Sequence, residues 1–423
     1  MRAGMQNKIV LKDKLASSLP PDALDFIKKA AAMAHGQNGR LYLVGGVVRD
    51  ILLGKCSYDI DLTVEGDATL LAEKLTGSEG TVELHPQFGT AKIVLPGGIG
   101  VDIAGARKET YARPGALPSV SPGTISDDLF RRDFTVNAMA IALSPQNYGE
   151  LIDLYGGLFD LENKLIRVLH DKSFTHDATR IWRAIRYSER LDFAIEAHTR
   201  ELLKRDVSYL DTVSGDRIRY ELECVMGEDY PGKAIRRAGE LDVLKKLNPH
   251  LSGDGILAAR FRRARELSEL EKPPFALYTA LLTYPLNGEE IEQFTLYLRL
   301  DRTVSRVLRD ACELRSKAGF LGDPSLTPTQ VYHLLHGCSP LAIETIYIES
   351  NNTTVWQHID FYTNVLRNVK PLLTGKELQN MGVPEGPEIR KILGMLLDAR
   401  LNGEITAKED EEKIVRKWVG EKL

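Results

Sequence analysis

The chain has 423 residues, 43% hydrophobic and 27% charged, with a net charge of −4 and a pI near 6.2. That is an ordinary water-soluble composition, and the length exceeds what one core fills, so two to four domains are expected. Four widely spaced cysteines (Cys56, Cys224, Cys312, Cys338) argue against disulfides or zinc, and no apolar run approaches the roughly 18 residues of a membrane span.

The first eight residues, Met-Arg-Ala-Gly-Met-Gln-Asn-Lys, lack an apolar signal core, so a cytoplasmic location with reduced thiols is expected. Apolar positions Leu24, Ile27, Ala31 and Ala34 recur at helical spacing and predict a helix over 21–34. Strands are predicted at 41–44, 59–64, 81–84, 92–95 and 100–104, with Pro96-Gly97-Gly98 as a hairpin turn and a helix over 65–75. These make a small, mostly antiparallel sheet with helices on one face. From about residue 150 strand-like runs vanish and helical periodicity continues to the end, broken at 229–232, 251–255, 272–274, 285–288, 322–324 and 382–387. The expected fold class is α+β. Its divisions are an α/β head at 1–150 followed by three helical segments at 151–230, 231–325 and 326–423.

The run Leu41-Tyr-Leu-Val-Gly-Gly-Val-Val-Arg-Asp50 reads as a strand, a glycine turn and a helix start. Gly45 and Gly46 let the backbone approach a triphosphate, and Arg49 stands one turn in to meet phosphate oxygens. Asp59 and Asp61, two apart on a strand, point to one face and can seat divalent metal. Asp102, in Val101-Asp102-Ile103, is the best candidate for a third carboxylate, because its strand follows a hairpin that can bring it alongside. Alternating aspartates alone can simply face solvent; their spacing from the glycine turn is what points to a metal-bound nucleoside triphosphate.

A second block, 128–140, sets Arg131, Arg132 and Asp133 ahead of an amphipathic run, with Asn137 one turn later. Such a cluster can bind ribose or phosphate and brace itself with its own carboxylate. The third block is His176-Asp177-Ala-Thr-Arg180-Ile-Trp-Arg183-Ala-Ile-Arg186-Tyr-Ser-Glu-Arg190. At about 100° per residue it places Asp177, Arg180, Arg183 and Arg190 on one side of a helix and Ile181, Trp182 and Ile185 on the other. A carboxylate beside guanidiniums offers acceptors and donors able to read the edge of a base.

In order and spacing, Gly45-Gly46-x-Val48-Arg49-Asp50, Asp59-x-Asp61, Arg131-Arg132-Asp133-Phe134-Thr135-x-Asn137-Ala138 and Asp177-x-x-Arg180 resemble the motifs of the class II tRNA nucleotidyltransferases. That family comprises the CCA-adding, A-adding and CC-adding enzymes and the bacterial poly(A) polymerases. The motifs cover about residues 40–225, and 153–161 resembles the family's link from head to neck. The resemblance implies a DNA-polymerase-β-like nucleotidyltransferase head with a mixed sheet, followed by an all-helical neck, body and tail. It implies two Mg2+ ions on Asp59 and Asp61, triphosphate contacts from Gly46 and Arg49, and ribose and phosphate contacts from Arg131 and Arg132. Asp177 and Arg180 would pair with the incoming base, with Arg183 and Arg186 supporting that surface. The implied substrates are ATP, CTP and the tRNA 3′ end, with no obligate protein partner and no membrane.

Two features depart from the common pattern. His176 stands where the family usually has an acidic residue, and 106–120 resembles the loop of larger bacterial members, some of which add only A. Arginines 260, 262, 263 and 265, and 299, 302, 306 and 309, are candidate phosphate contacts in the helical half. Competing readings are a poly(A) polymerase, a metal-dependent phosphohydrolase suggested by His170-Asp171 and His176-Asp177, and a non-catalytic RNA-binding module. The last predicts lost carboxylates, yet Asp59 and Asp61 are both present.

Overall fold

The computed structural model describes residues 8–56, 58–75, 81–268 and 272–422. The chain divides into two compact units, Met1–Val225 and Met226–Leu423.

In the first unit, α1 (Lys12–Ser18) and α2 (Pro21–Gly36) precede β1 (Arg40–Val44), α3 (Gly46–Leu52), β2 (Asp59–Glu65) and α4 (Ala68–Leu75). Then come β3 (Thr81–His85), β4 (Thr90–Val94), β5 (Gly100–Gly105), β6 (Arg107–Thr110), β7 (Ser119–Pro122), α5 (Ile125–Phe130), β8 (Met139–Ala142) and β9 (Leu151–Asp153). Seven strands form one sheet in the order β3-β4-β5-β2-β1-β8-β9. Neighbours are antiparallel except β2 and β5, which run parallel because the chain between them crosses over through α4 and the β3–β4 hairpin. The sheet is thus mixed, as expected, with Gly97 and Gly98 turning the β4–β5 hairpin at positive φ.

Alternation sets the faces. Ile60, Leu62 and Val64 of β2 are buried, with Asp59 before them and Asp61 between the first two on the opposite face. Tyr42 and Val44 share a packed cluster with Leu129 of α5, Ala140 and Ala142. The end of β2 fixes α5: Glu65 accepts from the backbone N–H of Ile125 at 2.7 Å, and Tyr42 donates to its other oxygen at 3.3 Å.

Three expectations need correction. The helix after β2 starts at Ala68 rather than 65, because Asp67 accepts from the N–H groups of Thr69 and Leu70 and so acts as its N-terminal cap. The run after Asp133 is a single 3-10 turn (Thr135–Asn137) followed by the fully buried strand β8. Strands also persist beyond 150, in β9 and in a short parallel pair, β10 (Leu165–Ile166) with β11 (Ala194–Ile195). Helices α6 (Gly157–Glu162), α7 (Ser173–His176), α8 (Thr179–Leu191), α9 (Ala197–Asp206) and α10 (Gly215–Met226) make up most of the remainder. Asp153 accepts from the N–H groups of Gly157 and Leu158 and starts α6. Asp160, buried within that helix, accepts from Thr135 at 2.6 Å and from Arg167.

The second unit is helical among its described residues. Its last part is built around Leu373, Leu378, Val383, Ile392, Leu396 and Val415. Glu411, fully buried there, accepts from the N–H groups of Leu372 and Leu373 and pairs with Arg400. Of the first arginine cluster, Arg263 lies over the adjacent rings of Tyr347 and Trp356 and donates to the carbonyls of Ile348 and Ser350, while Arg260 pairs with Glu349. Those two are committed internally. Arg262, Arg302, Arg306 and Arg309 are exposed, and Arg309 pairs with Glu292. Among the described residues no helix is long and apolar enough to cross a membrane.

Candidate active site

β1 delivers the chain into Gly45, whose φ of +80° favours glycine, and Gly46 opens α3. A Cβ on Gly45 would stand 2.7 Å from Arg132 Nη1 and 3.3 Å from Asp61 Oδ2. The bare backbone therefore lets a guanidinium and a carboxylate meet at the turn.

Register places the acids. Asp61 lies opposite Asp102 across the parallel β2–β5 pair, and Asp102 lies opposite Lys92 of β4. Burial raises the Asp61 carboxyl to about 6; Arg132 opposes this, while Asp59, Asp102 and Asp128 add to it. Asp102 is also raised, by burial first and by Asp59, against the pull of Lys92. Asp59 and Asp61 line a cleft of about 960 Å³, whose walls do not include Asp102. Among the described residues no three His, Cys, Asp or Glu side chains are grouped to hold a metal ion. Magnesium, however, is commonly held by one or two carboxylates plus substrate phosphates rather than by a full protein cage. Mutually repelling oxygen donors beside an open cleft, exposed on Asp59 and half-buried on Asp61, fit such an ion.

Asp128, fully buried near the end of α5, organises the arginine pair. Its Oδ1 accepts from Arg131 at 2.9 and 2.7 Å and its Oδ2 from Arg132 at 3.0 Å. Arg131 also reaches Glu109 on β6, while Arg132 turns to Gly45 and Asp61.

A second network runs along the cleft wall. Arg49, buried, donates to Asn137 Oδ1 at 2.6 Å and to its neighbour Asp50. Asn137 donates to Asp133 Oδ1 at 3.0 Å, which also accepts from the N–H of Phe134. Arg183 donates twice to Asp133 Oδ2. Burial would raise Asp133, but Arg183 and Asn137 outweigh it and hold the carboxyl below its usual range. The guanidiniums of Arg49, Arg183 and Arg186 all lie 5.2–5.5 Å from the centre of the Tyr187 ring.

Asp177 is not on the helix, as its spacing suggested. It is extended (φ −144°, ψ 99°) between α7 and α8, and its Oδ1 accepts from the N–H and hydroxyl of Thr179. Arg217 of α10 donates to the same oxygen at 2.8 Å. Arg180 is buried, donating to Ser173 Oγ and to the carbonyl of Arg131. His176 makes no bond to Arg180; its ring stacks on Tyr111 at 4.8 Å and lies 5.0 Å from His170, which packs on Phe130. These histidines are ring-packed rather than gathered as ligands.

Family models described as Poly A polymerase head domain and Probable RNA and SrmB- binding site of polymerase A match residues 41–167 and 192–254. An A-adding tRNA nucleotidyltransferase of Halalkalibacterium halodurans is 31% identical over 97% of this chain and 96% of its own length. The chain belongs to the tRNA nucleotidyltransferase and poly(A) polymerase family. An A-adding enzyme of Geobacter sulfurreducens is 36% identical over 88% of the chain, but the chain spans only 44% of that longer relative. The Thermotoga maritima CCA-adding enzyme complexed with tRNA superposes with a TM-score of 0.78 at 31% identity, covering 98% of this chain and all of that one. The family is generally metal-dependent.

Within this nucleotidyltransferase architecture the cleft gathers Gly45, Gly46, Arg49, Asp59, Asp61, Arg131, Arg132, Asp133, Asn137, Asp177, Arg180 and Arg183. Arg186 is buried and faces Glu221 at 3.9 Å instead of lining the cleft. Sequence reasoning did not find Glu109, Tyr111, Tyr187, Arg217 or Glu221, which also line it. Tyr187 had a signal, one turn after Arg183 on the same helix. Arg217 and Glu221 are similarly one turn apart on α10, but nothing in their spacing ties them to Asp177 or Arg183.

Proposed function

We propose that the chain is a template-independent tRNA nucleotidyltransferase that adds C, C and A, or part of that sequence, to the tRNA 3′ end from CTP and ATP. The observation that carries this reading is the meeting of Asp61, Arg132 and Gly45 in one cleft with Asp177 and Arg180. In the proposed reaction the tRNA 3′-hydroxyl attacks the α-phosphorus, the bond to the β-phosphate oxygen breaks, pyrophosphate departs, and the hydroxyl proton passes to solvent. Gly45 and Gly46 let the triphosphate approach the backbone, with the α3 N-terminus and Arg132 meeting its charge. Arg49, held by Asp50 and Asn137, backs that turn. Arg131 and Arg132, fixed by Asp128, serve ribose and phosphate. Asp133 and Asn137 hold the arginines in place, and Asp177 and Arg180 address the base, with Arg183 and Arg186 supporting that surface. Two Mg2+ ions at Asp59 and Asp61, with Asp102 alongside, would neutralise phosphate charge and activate the attacking hydroxyl. Residues 151–230 act as the base-reading neck, and 231–325 and 326–423 as tRNA-binding body and tail. The enzyme works in the cytoplasm without an obligate protein partner.

The relatives named as A-adding favour the terminal A as the product within this reading. Purified protein, labelled CTP and ATP, and tRNAs truncated before the first C, the second C and the final A test it. A single nucleotide added only to the tRNA ending in CC identifies an A-adding enzyme, and full restoration of all three a CCA-adding one. A long A tail identifies a poly(A) polymerase; no transfer to any of them ends the reading.

A further inference from the structure

We propose that Arg217 is a positioning residue for base selection, acting by fixing the carboxylate of Asp177. This rests on the reading of Asp177 as the residue that addresses the base. Asp177 lies in extended chain outside both neighbouring helices, so helix geometry does not orient its side chain. Three donors orient it instead, and all converge on Oδ1: the Thr179 N–H at 3.1 Å, the Thr179 hydroxyl at 2.7 Å and Arg217 Nη2 at 2.8 Å. The other oxygen, Oδ2, takes none of these bonds, and Asp177, Thr179 and Arg217 all line the cleft. The two Thr179 bonds are local and turn with the chain. Arg217 comes from α10, 40 residues away, and ties the carboxylate to a separate element.

A carboxylate held in this way is acceptor-only at the oxygen facing a ligand. Cytosine and adenine both carry an exocyclic amino donor where uracil and guanine carry a carbonyl. A fixed acceptor bonds the first pair and opposes the second, whereas a carboxylate free to turn discriminates less, because selectivity depends on leaving the wrong partner unsatisfied.

The test compares wild type, Arg217→Ala, Arg217→Lys, Arg217→Gln and Asp177→Ala. It measures kcat and KM for ATP, CTP, UTP and GTP on truncated tRNA, together with thermal melting. Arg217→Ala is expected to reduce discrimination against UTP and GTP about tenfold or more. The loss should appear mainly as a higher KM for ATP and CTP, and Arg217→Lys should recover part of it. If Arg217→Ala fails to fold, Arg217→Lys and Arg217→Gln carry the comparison. Selectivity retained in folded Arg217 variants but lost in Asp177→Ala overturns the positioning role alone. Selectivity retained in Asp177→Ala as well removes base reading by Asp177, and the proposal with it.

Discussion

Arg183 donates through Nε and Nη2 to one oxygen of the buried Asp133 carboxylate, at 2.9 and 2.6 Å, across 50 residues of sequence. The pair joins α8 to the segment that carries the Asn137–Arg49 contact. Removing either partner takes from the other its closest counter-charge, although Asp133 keeps Asn137 and the Phe134 N–H and Arg183 keeps Glu221 at 3.9 Å, so the cost is expected at the lower end of the buried-pair range, about 3 kcal/mol. Arg183→Ala and Asp133→Ala should each lower urea-unfolding stability by about that much, and the double variant by clearly less than the sum. Additive losses would mean that the pair is not coupled.

Asp59→Ala and Asp61→Ala should each reduce NTP incorporation by about a hundredfold or more if, as proposed, each carboxylate holds metal that its neighbour cannot hold alone. With tRNA binding assigned to the body and tail in the proposed function, affinity for tRNA, measured by gel shift, should stay close to wild type. Normal turnover in either variant would remove these acids from the reaction.

Gly45→Ala places a methyl group 2.7 Å from Arg132 Nη1, on a backbone with φ of +80°. At ψ −139° this backbone lies outside the left-handed helical well, so strain of about 1–3 kcal/mol is expected from it alone. Arg132 must also move, and a displacement of about 1 Å at such a site can lower the rate on the order of a hundredfold. The expected result is a modest fall in melting temperature with a much larger fall in incorporation.

His170 gives the fold a pH dependence. Burial first, then His176 and Arg180, lower its pKa from 6.5 to about 4. Between those values the unfolded chain binds the proton and the folded one does not, so stability rises with pH. The contribution is complete above about 6.5 and is lost as pH falls towards 4. His176, lowered by burial and then Arg180, acts in the same direction. His170→Phe should therefore show a smaller drop in urea midpoint from pH 7 to pH 5 than wild type. An equal drop would place the dependence elsewhere.

Glu411→Ala should cost about 3 kcal/mol, since it leaves the Leu372 and Leu373 N–H groups and Arg400 without their buried acceptor. Glu411→Gln, which keeps one acceptor oxygen, should lose less. Thermal melting of the full chain measures both.

How much the sequence disclosed follows from where its signals are local. β2 was legible because Asp and apolar residues alternate through 59–62, and the glycine turn because two glycines follow an apolar run. β8 was not: Met139-Ala-Ile-Ala142 contains good helix formers, and burial in the sheet overrides that preference. The β6–β7 hairpin was missed because its strands are largely exposed and carry no apolar stripe. Spacing alone puts Asp177 on a helix, whereas its chain is extended there and its carboxylate bonds locally to Thr179. Arg183 with Asp133, and Arg217 with Asp177, are tertiary pairs that no one-dimensional pattern encodes.

The parallel pairing of β2 with β5 runs through six matched positions, from Asp59 opposite Gly100 to Val64 opposite Gly105. Strand side chains alternate strictly, so sliding β2 by one residue would turn both acids into the packed side and bring Ile60 and Leu62 out into the cleft. Insertions and deletions among descendants of this gene should therefore collect before Asp59 or beyond Glu65 and be purged from the stretch between, whatever the substitutions there.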